Sequence, residues 1–161
     1  MRKKVDAAVV DSSALICIAK GEPAATSFLN ELGRVGKLYL SAVTHAEVIL
    51  ATMSLQAEGA VDPMEQLIAA LKIETVGFGG GDIPGYKGAA MKYHLKAKSP
   101  GTLNLGDLFS FQLALKMDLP LFFQGKDFLK MPVKNAMNIL GYEMNEKNLG
   151  VPTMSSPSLG Q

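Results

Sequence analysis

The sequence predicts an α/β fold, a three-layer sandwich with a mainly parallel central sheet flanked by helices. Three observations carry this. The candidate strands are continuously apolar, as in "AAVV" at 7–10 and "LPLFF" at 119–123, and strands buried on both faces of a helix-covered sheet must be so. The second half of the chain alternates strand-like and helix-like segments, the order that builds such a sheet. The 161 residues, 48% apolar and 19% charged, suit one domain with a sizeable core and are too apolar for a disordered chain.

Each element has a local reason. "AAVV" is a short buried strand ending at Asp11, and "SSALICIAKG" follows as helical turns stopped by Gly21. "EPAATSFLNELG" restarts a helix, with Pro23 near its first turn and Gly33 past its end. "KLYLSAV" at 37–43 is the second strand. "THAEVILATMSLQAEG" is a helix opened by a capping-box pattern, Thr44 with Glu47. "DPMEQLIAALKI" is a helix entered through Asp62 and Pro63, and "IETVGF" at 73–78 is the third strand. "GGGDIPG" is a loop, "YKGAAMKYHLKAK" a helix, Leu105 to Met117 another helix, and "LPLFF" the fourth strand. We divide the chain into a domain over residues 1–131 and an extension over 132–161, expected to be partly disordered because "VPTMSSPSLGQ" is rich in Ser, Pro and Gly.

Composition excludes several classes. A formal charge of +1 provides no global field for nucleic acid or membrane, so a nucleic-acid partner would need a local basic patch. Cys17 is the only cysteine, cannot form an internal disulfide, and reads as a buried thiol compatible with a reducing cytoplasm. "VDAAVV" is too short to span a bilayer, and no signal peptide is legible, so a cytoplasmic protein without membrane contact is expected. "GGGDIPG" lacks the Gly-Lys-Ser/Thr ending of a phosphate loop and reads as a connection. His45 and His94 are the only histidines; His45, one turn from Glu47, is either a helix-surface residue or a base, and no Ser-His-Asp or Cys-His arrangement is apparent.

Four acids recur in one setting. Asp11 follows the first strand, Glu47 follows the second, Asp107 lies in a first helical turn, and Asp127 follows the fourth strand across a Gly-containing turn. Each has a local explanation as a cap or as an acid favoured by the helix dipole. Asp11, Glu47 and Asp127 fall beyond the carboxyl ends of strands, the edge at which open α/β sheets bind ligands, and Asp107 joins them if its helix starts at that edge. Carboxylates crowded there raise one another's pKa unless a divalent cation sits among them, and an all-oxygen donor set suits Mg2+ or Mn2+ rather than Zn2+. Ser13, two residues past Asp11, is either a helix-start serine or a hydrogen-bond donor to that site. Lys96, Lys98, Lys126 and Lys130 flank the proposed cleft, either as solvated charge or as contacts to a phosphate backbone.

Three segments resemble one family. "VVDSSALICI" is similar to the opening of PIN-domain proteins, and "LSAVTHAEV" to their Ser-Ala-x-Thr-x-x-Glu segment. "LNLGDLFSFQLALKMDLPLFFQGKDF" is similar to their Leu-Asn-x-Gly-Asp helix, apolar strand and Gly-x-Asp-Phe turn. The resemblance covers about residues 5–131 and is nearest to VapC-like ribonuclease toxins of bacterial toxin–antitoxin pairs. It implies Mg2+-dependent hydrolysis of RNA phosphodiester bonds. Asp11, Glu47, Asp107 and Asp127 would form the acidic quartet, with Asp11 and Asp107 as the main metal ligands and Ser13 and Asn104 in support. Lys96, Lys98 and Lys126 would meet RNA. It also implies a homodimer and a small antitoxin partner. The chain departs from the family at "AKSPGT", which replaces a Gly-x-x-His-Pro stretch, at "LFSFQ", which replaces Cys-Phe-Ser-Tyr, and at "LKMPVK" after Phe128. Two other functions stay open: a PIN nuclease of RNA maturation, and a non-catalytic acidic binding module. A phospho-acceptor role for Asp11 fits poorly, because Lys126 stands beside Asp127 rather than facing an Asp pair.

Overall fold

The computed structural model describes residues 3–53, 62–94, 103–144 and the backbone of 153–154. Its centre is a parallel sheet of four strands, β1 (Ala7–Val10), β2 (Lys37–Ser41), β3 (Ile73–Val76) and β4 (Leu121–Phe122), in the order β3-β2-β1-β4. The register places Val9 opposite Tyr39 on one side and Leu121 on the other. All four strands point the same way, so their carboxyl ends share one edge. That is the mainly parallel, helix-flanked sheet expected.

Alternation along the strands builds the two outer layers. Ala8, Val10, Leu38, Leu40 and Phe122 face a core closed by α1 (Ser12–Ala19), α2 (Ala25–Leu32), α3 (Ala42–Thr52) and α4 (Pro63–Ala70). Val9, Leu121 and Phe123 face the opposite core, closed by α5 (Ile83–Tyr93) and α6 (Leu105–Met117). The helix starts follow the expected chemistry at Asp62, whose carboxylate accepts from the amides of Met64 and Glu65 ahead of Pro63. Among the described residues, no helix is long and apolar enough to cross a membrane.

Some boundaries differ from the sequence reading. "LPLFF" contracts to two strand residues because Pro120 offers no amide to the ladder, and its carbonyl accepts from Val9 instead. "GGGDIPG" is not wholly a loop: Gly80–Asp82 form a 3-10 turn that runs into α5 at Ile83. Past residue 131 the chain keeps packing. In α7 (Ala136–Ile139) Ala136 and Met137 are fully buried in the first core, joined there by Leu140 and Met144. A short antiparallel pair, β5 (Tyr142–Glu143) and β6 (Thr153–Met154), follows. The rest of the 132–161 extension lies outside the described residues.

Candidate active site

Asp11 is placed by the most buried strand. β1 runs between β2 and β4, and its last step turns into α1, where Asp11 stands as N-cap in extended backbone. The side chain is only 1% exposed. Its Oδ2 accepts two hydrogen bonds, from the Ser13 amide at 3.0 Å and the Ser13 hydroxyl at 2.6 Å. The Ser13 Oγ in turn accepts from the Gln124 amide at 3.0 Å, which ties the exit of β4 to the exit of β1. The other oxygen, Oδ1, is buried with no hydrogen-bond partner. Ser13→Ala removes one donor from Asp11 and orphans the Gln124 amide. A loss of about 1–3 kcal/mol in unfolding free energy is expected, read by urea titration.

Asp107 and Glu47 come together at the start of α6. Asn104 is its N-cap: the Asn104 Oδ1 accepts from the Asp107 amide at 2.8 Å, and the Asp107 Oδ2 accepts from the Asn104 amide at 3.0 Å. This reciprocal box fixes the Asp107 rotamer and occupies one of its oxygens. Glu47, on the second turn of α3, lays its carboxylate against Gly106. A Cβ at that position would stand 2.6 Å from Glu47 Oε2 and 2.9 Å from Oε1. The Glu47 Oε2 is also buried without a hydrogen-bond partner. The expected Thr44–Glu47 capping box does not form. Ser41 caps α3, accepting from the Val43 amide at 3.3 Å, because β2 turns directly into the helix at Ala42. Thr44 is instead fully buried, with its hydroxyl 3.2 Å from that of Ser110, joining α3 to α6.

Asp11, Glu47 and Asp127 all act on Asp107, and Asp11 acts on Glu47. Burial pushes Asp107 up to about 7; the Asn104 amide opposes this, and the charges of Asp11, Asp127 and Glu47 add to it. Glu47 is raised by burial and then by the Asp11 charge, against the Ser12 hydroxyl. Burial raises Asp11 too, opposed by the hydroxyls of Ser110 and Ser13 and the amides of Ser13 and Ser12. Ser110 stands near enough to favour the charged Asp11, yet Oδ1 of Asp11 remains without a formed hydrogen bond. Asp127 joins from an exposed turn after β4, close enough to act on Asp107.

Other candidates stand elsewhere. His45 bridges Thr75 Oγ1 (2.8 Å) and Glu65 Oε1 (3.2 Å), and His94 Nδ1 lies 2.7 Å from the Leu103 carbonyl oxygen. Lys126 is exposed beside Asp127, whereas Lys96 and Lys98 lie outside the described residues. Cys17 is buried, as expected, and its thiol is pushed up to about 12 by burial and by Glu22. Sequence reasoning missed Ser12, Ser110, Gly106 and Gln124. Ser110 was within reach of it, being three residues past Asp107 and hence on nearly the same helix face. Gly106 and Gln124 act only through contacts across the fold.

What the donor set can hold follows from its chemistry. It is all oxygen, and two of its buried oxygens lack a hydrogen-bond donor. Among the described residues, no three or more His, Cys, Asp or Glu side chains are grouped so that they could hold a metal ion. The all-oxygen donor set is of the kind Mg2+ takes, an ion that uses one or two carboxylates and keeps waters and substrate phosphates in its remaining positions. It does not suit Zn2+, which takes nitrogen and sulfur ligands in closed tetrahedra.

The class this fold and acid cluster define is a PIN-like α/β domain. The model of the PIN domain family matches residues 8–134, and the chain belongs to that family. Three solved structures share its fold. A toxin–antitoxin complex from Klebsiella pneumoniae has a TM-score of 0.58 at 19% identity, covering 78% of this chain and 92% of that one. VapBC2 from Rickettsia felis, bound to a DNA fragment from its promoter, gives 0.55 at 16%, covering 80% and 96%. VapC20 from Mycobacterium tuberculosis, a sarcin-ricin loop cleaving toxin, gives 0.56 at 11%, covering 78% and 95%. No curated protein matches the chain by sequence.

Proposed function

We propose that the chain is a divalent-metal-dependent endoribonuclease and the toxin of a toxin–antitoxin pair. One observation carries the chemistry: Asp11, Glu47 and Asp127 all raise the proton affinity of Asp107, while buried oxygens of Asp11 and Glu47 lack donors. Carboxylates gathered at such a cost to stability need a cation. The likeness in fold to toxin structures supports the toxin assignment, as do the motifs around Asp11, Glu47 and Asp107.

In this reading Asp11 and Asp107 hold Mg2+ or Mn2+, with Glu47 and Asp127 completing the site directly or through water. A bound divalent cation supplies positive charge to the scissile phosphate and lowers the pKa of water. The protein supplies order. Ser13 and Gln124 lock Asp11, Asn104 locks Asp107, and Gly106 leaves the space that Glu47 fills. Lys126, exposed beside Asp127, is available to a phosphate of the RNA backbone.

The test is cleavage of structured RNA by the purified protein with Mg2+, its loss in EDTA, and its rescue by Mn2+. Activity that survives EDTA sinks the reading. The toxin role is tested by growth arrest on expression and its relief by a co-expressed small antitoxin. Cleavage without growth arrest would favour RNA maturation. Gly106→Ala gives a sharper check on Glu47. The added methyl meets only the flexible end of that side chain, so folding changes by no more than about 1 kcal/mol. Glu47 is displaced, and cleavage should fall roughly tenfold, the scale of a 1.4 kcal/mol loss in the transition state. Unchanged kcat in Gly106→Ala would remove Glu47 from the site.

A further inference from the structure

Three aromatic rings lie together on the carboxyl-end side of the sheet and are not used by the acid cluster. Phe78, Tyr86 and Phe109 are mutually packed: Phe78 meets Tyr86 edge-on at 5.8 Å and Phe109 at 4.9 Å, and Tyr86 lies tilted on Phe109 at 4.7 Å. Each is only half-buried, and Tyr86 also packs against the second core. They come from the carboxyl-end side of the sheet. Phe78 lies two residues past β3, Tyr86 is on the first turns of α5, and Phe109 is on the first turns of α6.

Their place relative to the acids follows from helix geometry. Phe109 is three residues past Gly106, so the two are neighbours on one stripe of α6. Gly106 is the residue on which the Glu47 carboxylate lies. Asp107 points to the other flank of the same helix. The path from Asp107 past Glu47 to Phe109 therefore crosses about one helix width, ~10 Å. That distance spans one or two nucleotides of extended single strand, which covers no more than roughly 6–7 Å per nucleotide, about twice the 3.4 Å rise per strand of stacked duplex.

The loop around Phe78 adds an independent observation. Gly77, Gly79, Gly80 and Gly81 surround it, and a Cβ at any of them would meet nothing within 4 Å. None has positive φ. Neither space nor backbone conformation in the folded chain requires these glycines. Their effect is to strip side chains from around the Phe78 ring and let a ligand reach ring and backbone together. The Tyr86 hydroxyl makes no hydrogen bond among the described residues and is available to a base edge or a ribose. Aromatic faces beside a phosphodiester-cleaving site are how proteins grip bases of single-stranded nucleic acid without reading sequence.

We infer that Phe78, Tyr86 and Phe109 form a stacking subsite for a nucleobase of single-stranded RNA, one or two nucleotides from the acid cluster. This rests on the nuclease reading, and the experiment separates the two. Full-length Asp107→Asn protein is titrated with a single-stranded RNA decamer carrying 2-aminopurine, whose fluorescence falls when it stacks. Quenching on binding is expected. Phe78→Leu and Tyr86→Leu should each abolish most of the quench and weaken Kd roughly tenfold, within the range of one lost base–aromatic stack. Phe78→Trp should restore both. Far-ultraviolet circular dichroism establishes that each variant is folded. Equal quench and Kd in the two leucine variants would overturn the subsite. Cleavage of the same RNA by the Asp107-bearing protein is measured alongside. Cleavage with no effect of the leucine variants on quench or KM rejects the subsite and keeps the nuclease. Absent cleavage of both this RNA and structured RNA, with ring-dependent quenching, rejects the nuclease and keeps the subsite.

Discussion

Asp107→Asn and Asp11→Asn are each expected to lower RNA cleavage by about 10³-fold, and the double variant by little more. The single losses follow from what each carboxylate would do. Charge placed on the scissile phosphate is worth several kcal/mol, and each 1.36 kcal/mol is a factor of ten. A neutral amide at either position would remove one of the two carboxylates proposed to hold the cation. The lack of further loss follows because the two carboxylates act as a unit, and removing either removes what both build. Folding should survive. In Asp107→Asn the amide oxygen can still accept from the Asn104 amide, so the capping box that starts α6 is kept. Single-turnover cleavage of one RNA by the four proteins is the measurement. If the losses of the single variants multiply in the double variant, Asp11 and Asp107 do not share a site.

The middle of the sheet was legible because β1 and β4 carry nothing but apolar side chains, and burial on both faces leaves little else to choose. "AAVV" became β1 without change. The start of α3 was misread for a physical reason. Ser41 and Thr44 are both capping residues, and only the turn of β2 straight into the helix decides for Ser41. Thr44 is then carried into the interior to meet Ser110, and Glu47 moves from the first turn to the second. The extension past 131 hid α7 because its apolar positions, Ala136, Met137 and Leu140, are few and lie among Asn and Lys. The acids themselves were legible as a set because each follows a strand or opens a helix at the same sheet edge. Their supports were not. Gly106 matters for the atoms of Glu47, 59 positions earlier in the chain, and Gln124 for a hydroxyl 111 positions away. Neither relation leaves a local pattern.

The same crowding predicts how stability depends on pH. Asp107 titrates near 7 in the fold against an ordinary value of 3.8, and Asp11 and Glu47 are raised in the same direction. Between those pH values the native chain binds more protons than the unfolded chain. The derivative of unfolding free energy with pH is then negative. The contribution of Asp107 is fully present below about pH 4 and is lost as pH rises through about 7. It amounts to on the order of 2–4 kcal/mol, or roughly 5–15 °C in Tm for a chain of this size. Acid unfolding of other groups overlaps this window, so the clean measurement is a difference. In EDTA, Asp107→Asn should melt close to the parent at pH 4.5 and well above it at pH 8. Millimolar Mg2+ should raise the Tm of the parent at pH 8, because a cation that binds only the folded chain stabilises it by mass action. The variant should gain less, having lost one of the two carboxylates proposed to hold the cation. Parallel pH profiles for parent and variant would show that Asp107 ionises freely and that the acids do not crowd one another.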